Sequence, residues 1–202
     1  MRRSILACGL LLSFAGISTS VATASGRPVT GVTQRPGASH TATKKRTEAR
    51  KKRAEARWSR NIRRFQAGTR RWLTVILGRP PQKSGRTLAA RSVHSLQKLR
   101  KLAIQWRKRE HAAWRRANHP PDLAAWNCIH SHEGSWVDPG APYWGGLQMD
   151  LSFQESYGGW LLTHKGTADH WSPLEQIWTA VRAWRVRGFS PWPSTARACG
   201  LI

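Results

Sequence analysis

The stretch CIHSHEGSW (128–136) contains the side chains best placed to do chemistry. Glu133 stands between His132 and a glycine, five residues after Cys128. A zinc site of the H-E-x-x-H type would need a histidine four residues after His132, but that position is Trp136. We therefore expect no metal and no cofactor, and Glu133 remains either a catalytic acid or a polar group at a helix end.

Burial against aromatic rings would suit Glu133 to acid catalysis. Such burial raises the pKa of a carboxyl group, which can then still give a proton to a leaving oxygen near neutral pH. Trp136 and Trp144 are the candidate rings. Flat rings also suit the faces of sugars, and the Gln148 amide can bind hydroxyl or N-acetyl groups through both its ends. These residue types favour a carbohydrate site, although a glutamate at a helix end is more often inert.

The elements that position these side chains are expected to be mostly helical. Asp122 is a candidate cap for a helix over 122–132, which puts Trp126 and Ile129 on one face and Glu133 at its C-terminal end. The segment YWGGLQM (143–149) has the aromatics and paired glycines of a tight turn or short hairpin. The predicted fold class is therefore α+β, mainly helical, with one small β element.

Two more helices are expected after this turn. Ser152 and Glu155 form a possible capping box for a short helix that reaches Tyr157 and ends at Gly158-Gly159. The last helix is the clearest, with Ser172 as N-cap and Glu175 completing a capping box. Its remaining signals are Pro173 at the first position, an apolar face of Leu174, Ile177, Val181 and Trp184, and Gly188 just past its end.

The positive charge is concentrated before this domain. Residues 44–121 carry 25 Lys and Arg against three acidic residues, whereas residues 122–202 carry five against seven. The basic segment has two sparse apolar stripes at helical spacing, Trp58, Ile62 and Phe65, then Leu96, Leu99, Ala103 and Trp106. It is either a solvated, partly disordered stalk or a tether that binds anionic wall polymers or lipid head groups through residues 44–118. No nucleic-acid-binding motif accompanies the charge, and we expect no nucleic-acid partner.

The first residues have the pattern of an export signal. Arg2 and Arg3 precede an apolar run over 5–17 and then Ala22-Thr-Ala24, a cleavage site of the A-x-A type. This pattern predicts a signal peptide over 1–24 and a secreted, extracellular or wall-associated protein. No later segment reaches the ~20 apolar residues of a transmembrane helix. Cleavage leaves Cys128 and Cys199, which we expect to form a disulfide. The predicted organisation is a signal peptide (1–24), a flexible linker (25–43), a basic region (44–121) and a terminal domain (122–202).

Three motifs in the terminal domain carry a family resemblance. They are EGSW (133–136), YWGGLQ (143–148), and an ending that runs from EQI (175–177) through Arg187-Gly-Phe to Pro-Trp-Pro (191–193). In this order they resemble the catalytic domain of resuscitation-promoting factors and the wider group of lysozyme-like lytic transglycosylases. The resemblance covers residues 126–202, and the family's paired cysteines correspond to Cys128 and Cys199.

The resemblance implies a small lysozyme-like domain that cleaves peptidoglycan glycan strands. The expected reaction breaks the β-1,4 bond between N-acetylmuramic acid and N-acetylglucosamine, with Glu133 as the single acid and base of a lytic transglycosylase. The residues expected to line the glycan groove are Trp136, Tyr143, Trp144, Gly146 and Gln148. Asp138 and Asp150 are available as a second carboxylate if the enzyme hydrolyses instead. The alternative is a peptidoglycan-binding module without turnover, carried by a polycationic tether.

Overall fold

The computed structural model describes residues 37–82 and 95–202, with side chains from residue 40 onward. Its six α-helices are α1 (Gly37–Leu77), α2 (Leu96–Asn118), α3 (Leu123–Glu133), α4 (Leu151–Lys165), α5 (Pro173–Arg187) and α6 (Pro193–Ala198). A short 3-10 helix, Ala168–His170, lies between α4 and α5. The predicted signal peptide and the start of the predicted linker lie outside the described residues, whereas residues 37–43 of that linker belong to α1.

The prediction of a mainly helical chain is confirmed, but the β component is minimal. Within the described ranges there is no strand, and one isolated antiparallel bridge joins Trp144 to Met149. The backbone N–H of Gln148 donates to the carbonyl of Gly145 inside this bridge, at 3.1 Å. The segment 143–149 is therefore a tight turn closed by a single residue pair.

The prediction for α4 was wrong at its start and only partly right at its end, because the backbone leaves helical geometry at Gly158 (φ −135°, ψ 17°) but then becomes helical again. Its N-cap is Asp150, whose carboxylate accepts the N–H of Phe153, so Ser152 lies inside the helix. The helix then continues through the paired glycines to Lys165 with a kink at Gly158. A Cβ at Gly158 would lie 2.6 Å from the ring of Trp171, so this glycine permits close packing and does not end the helix.

The two basic helices lie side by side and run parallel. Ile62 packs with Leu99 and Ala103 in a small buried cluster. Fourteen residues further along α1, Ile76 reaches the main core, and so does Ala117 near the end of α2. Later residues of α1 lie at the level of later residues of α2, so the two helices run in the same direction. We name α1 and α2 together the basic helix pair.

The C-terminal ends of α1 and α2, which we call the foot of the basic helix pair, pack in the main core. The Trp178 indole on α5 donates to the carbonyl of Ala117 at 2.9 Å. Arg182, also on α5, donates to the carbonyls of Ile76 and Tyr157, at 3.1 and 2.6 Å. Burial, with a smaller contribution from Arg185, lowers the pKa of Arg182 to about 10, which leaves it charged at neutral pH. The composition boundary near residue 120 is thus not a boundary in packing.

The main core is centred on α3, α5 and the segments between them, and it also includes Trp192 and the C-terminal ends of α1 and α2. Its fully buried members include Trp126, Ile129, Leu147, Trp178 and Val181. The capping box of Ser172 and Glu175 is present, as predicted, and Gly188 follows α5. Across residues 37–82 and 95–202, no helix is both long enough and apolar enough to cross a bilayer.

Candidate active site

Glu133 is the last residue of α3, and the buried face of that helix fixes its position. Trp126 and Ile129 are 0% exposed and hold α3 against the core, as their spacing predicts. Asp122 occupies the N-cap position, but its backbone is left-handed and its side chain forms no capping hydrogen bond. Gly134 ends the helix and leaves Glu133 half-buried at its C-terminus.

A disulfide joins the two helices that meet at Glu133. Cys128 on α3 and Cys199, directly after α6, are bonded with their Cα atoms 6.0 Å apart. One turn before Cys199, the Thr195 hydroxyl donates to Oε1 of Glu133 at 2.8 Å. Glu133 Oε2 has no hydrogen-bond partner within the described part of the chain. The carboxylate is thus oriented through one oxygen while the other is available.

Gln148 lies beside the loop that follows Glu133. Its amide Nε2 donates to Oδ2 of Asp138 at 2.9 Å and to the carbonyl of Gly145 at 3.0 Å. A Cβ placed on Gly134 would lie 3.5 Å from both this nitrogen and the Asp138 carboxylate. Because both amide hydrogens are in use, Gln148 offers a ligand only its Oε1 acceptor, not both ends as predicted.

The backbone of Gln148 is itself unusual. Its φ is +47°, in the left-handed region that side chains other than glycine rarely adopt. Such a conformation costs on the order of 1 kcal/mol and is concentrated at functional positions. The strained residue is therefore also the one that presents a free acceptor.

A buried glutamine organises the turn beneath the site. Gln176 is 0% exposed, and its Oε1 accepts the N–H of Gly146 at 2.9 Å. Its Nε2 donates to the carbonyl of Trp136 at 2.8 Å, which ties the loop after Glu133 to α5. Gly145 has φ +73°, and a Cβ there would lie 2.5 Å from Gln176 Oε1. The two glycines are required by this packing.

The predicted groove residues fall into two groups. Tyr143, 49% exposed, and Gln148 line a small open cleft of about 130 Å³. The cleft also contains Met149, Asp150, Ser152, Phe153, Arg187, Pro191 and Trp192. Trp136 instead stacks on His130 at 3.9 Å, and Trp144 packs half-buried against the core. Gly146 is buried, with its N–H bonded to Gln176 and its carbonyl 3.0 Å from Nδ1 of His130.

The two aspartates considered as a second carboxylate are already engaged. Asp138 accepts the N–H of Gly140 through Oδ1 and the Gln148 amide through Oδ2. Asp150 caps α4, and the hydrogen bonds from Phe153 and Ser152 hold the pKa of that carboxyl below its usual value. Both therefore have local structural partners.

The imidazole of His132 lies close to the disulfide. Ligand atoms of Cys128, His132 and Cys199 are within 4.8 Å of one another. The two sulfur atoms are bonded to each other, so neither is a thiolate that could bind a metal.

Comparisons with known proteins do not assign the chain to a family. No protein-family model matches the chain. No curated protein and no solved structure matches it either.

Two residues that shape the site, Thr195 and Gln176, are not predicted as site residues from the sequence. Thr195 lies 62 residues from Glu133, and only the packing of α6 on α3 brings them together. Gln176 is marked in the sequence only as part of the EQI motif, and it lies outside the predicted apolar face of Leu174, Ile177, Val181 and Trp184, so the helical pattern does not point to it. A polar side chain that faces a core must find hydrogen-bond partners, and Gln176 finds them in the loop and turn around Glu133.

Proposed function

We propose that this chain is a lysozyme-like peptidoglycan lytic transglycosylase with Glu133 as its single acid and base. The observation that carries the proposal is the hydrogen bond from Thr195 to Glu133 Oε1, which fixes the carboxyl group and leaves Oε2 available. The disulfide is compatible with an exported enzyme, and the proposal includes removal of residues 1–24 and action in the cell wall.

The proposed reaction needs only one carboxyl group. Glu133 Oε2 gives its proton to the oxygen of the β-1,4 bond as the bond to the muramyl C1 breaks. The resulting carboxylate then takes the proton of the muramyl C6 hydroxyl, and O6 bonds to C1 to close a 1,6-anhydro ring. Glu133 is protonated again at the end, so protons balance without water.

The surroundings support this mechanism over two-carboxylate hydrolysis. Both oxygens of Asp138 accept hydrogen bonds, whereas Asp150 is held through Oδ1 as the cap of α4 and keeps Oδ2 available, so Asp150 is the carboxylate to test if the enzyme hydrolyses. In the proposal, Gln148 Oε1 accepts an N–H from an N-acetyl group. Tyr143 offers an exposed ring in the lining of the cleft, whose lining does not include Glu133.

Mass spectrometry of soluble fragments from purified peptidoglycan tests the proposal. The oxidised chain from residue 25 should release 1,6-anhydro-muramyl fragments, and Glu133→Gln should lower their yield by about two to three orders of magnitude. Glu155→Gln is the matched control, because the same change is made on an exposed face of α4.

Other outcomes distinguish the competing functions. Reducing-end fragments would replace transglycosylation with hydrolysis. Absence of any product, with Glu133→Gln still sedimenting with peptidoglycan as the unaltered chain does, would favour the binding module.

A further inference from the structure

The charge of the basic helix pair has no internal compensation. Helices α1 and α2 contain 21 Lys and Arg residues and three acidic ones. The two ion pairs among the described residues are Lys165–Glu175 and Asp169–His170, both outside these helices. A dense set of unpaired cations on a rigid support raises the local concentration of anions.

Arginines from both helices converge on one groove. This groove has a volume of about 500 Å³ and is lined by Trp58, Asn61, Arg64 and Phe65 of α1 and by Arg100, Ala103, Ile104 and Arg107 of α2. The three arginines in it are exposed, and Arg64 lies 5.1 Å from the centre of the Phe65 ring. Both helices are therefore needed to form the groove.

The arginines beside the groove repeat along α1. Arg57, Arg64 and Arg71 each lie over the ring of the next residue, at 5.4, 5.1 and 4.9 Å. Seven residues correspond to about 10.5 Å along a helix, so these guanidinium groups form a nearly straight row. A row suits a linear ligand with repeated charges better than a single small anion.

We infer that this groove binds a linear phosphodiester polymer that carries no bases. The planar guanidinium group donates two parallel hydrogen bonds to a phosphate, and three such groups face one recess. The polymer then continues along the arginine row of α1. This site is separate from Glu133, and the inference does not depend on glycan cleavage.

The packing of the aromatic rings disfavours single-stranded nucleic acid as the ligand. Phe65 is 9% exposed, and Trp58 and Trp106 pack against the cluster of Ile62, Leu99 and Ala103. Proteins that bind single strands present aromatic faces on which bases stack, and the rings here are turned into the seam.

The same packing disfavours insertion into a membrane. The apolar residues of α1 and α2 are largely used between the helices. The large apolar residues of the helix pair that are exposed, Leu77, Ile104 and Trp114, do not form a continuous face.

Binding of fluorescently labelled poly(glycerol phosphate) to the chain from residue 25 tests the inference. The groove variant is Arg64→Gln, Arg100→Gln and Arg107→Gln combined. The control, Arg63→Gln, Arg109→Gln and Arg116→Gln combined, removes the same charge from exposed positions, one on α1 and two on α2, that lie outside both the groove and the row of Arg57, Arg64 and Arg71. Gln is a good helix former, so both variants should keep the helices, which circular dichroism verifies.

The expected result is a site-dependent loss of affinity. At fixed salt, the groove variant should raise Kd by about tenfold or more, and the control by about threefold or less. Equal losses would mean that only total charge matters and would overturn the inference. Tighter binding to single-stranded or double-stranded DNA with the same number of phosphates, or to vesicles with anionic lipid, would also overturn it.

Discussion

Removal of the Cys128–Cys199 disulfide should destabilise the chain strongly. The bond closes a loop with a sequence separation of 71, and loop-closure entropy for that length corresponds to about 4 kcal/mol of unfolding free energy. For a chain of this size, the loss lowers Tm by roughly 10–15 °C. The double variant Cys128→Ser/Cys199→Ser should therefore unfold at lower urea concentration, with an increased m value because its unfolded state is more expanded.

Single variants provide the internal control for this measurement. Cys128→Ser and Cys199→Ser each break the same cross-link, so each should approach the loss of the double variant, and the two losses should not add. Urea unfolding followed by tryptophan fluorescence measures all three. A loss below about 1 kcal/mol, with an unchanged m value, would refute the entropic argument.

Three further perturbations examine the packing around the site. Arg182→Met leaves buried carbonyls without donors and should lower the unfolding free energy by about 2–4 kcal/mol in urea, whereas a loss below about 1 kcal/mol would show that water replaces the guanidinium. Gly145→Ala places a Cβ 2.5 Å from the buried Gln176 amide at a φ of +73°, and it should lower the unfolding free energy by more than about 1 kcal/mol, measured by thermal unfolding. The control Gly159→Ala adds a Cβ with nothing within 4 Å and should be neutral or stabilising. Burial opposes ionisation of Glu175, but hydrogen bonds from Lys165 and Ser172 outweigh it and lower the pKa of this carboxyl group. The stability that the carboxylate contributes should therefore be lost as pH falls below about 4.5. Glu175→Gln should flatten that part of the curve of stability against pH, and an unchanged curve would contradict the assignment.

Local signals were sufficient for α5 and insufficient for α4. The start of α5 is determined by contacts within four residues, the Ser172 and Glu175 capping box, so the sequence alone predicts it. In α4, Gly158 has the local character of a helix end. Its φ of −135° and ψ of 17° break the helical geometry, but the helix resumes directly afterwards, and the Trp171 ring occupies the space that a side chain at this position would need, a contact that comes from the tertiary fold.

The same distinction applies to the candidate site. The position of Glu133 at the end of α3 follows from the spacing of Trp126 and Ile129. The partner on Thr195 depends on a helix 62 residues away, and no local pattern points to it. The parallel course of α1 and α2 was likewise not predicted, because the apolar stripes show which faces are buried but not in which direction the helices run.

The C-terminal end of α1 is held in the main core, where Arg182 donates to the carbonyl of Ile76. The basic helix pair is therefore a long rod that is fixed to the core at one end. At 1.5 Å per residue, the 41 residues of α1 form a rod about 62 Å long. A rotation of about 10° at its foot moves the far tip by about 11 Å. Because Ile76, Ala117 and the hydrogen bonds of Trp178 and Arg182 fix the foot, the packing there determines the direction of the rod relative to the core that contains Glu133.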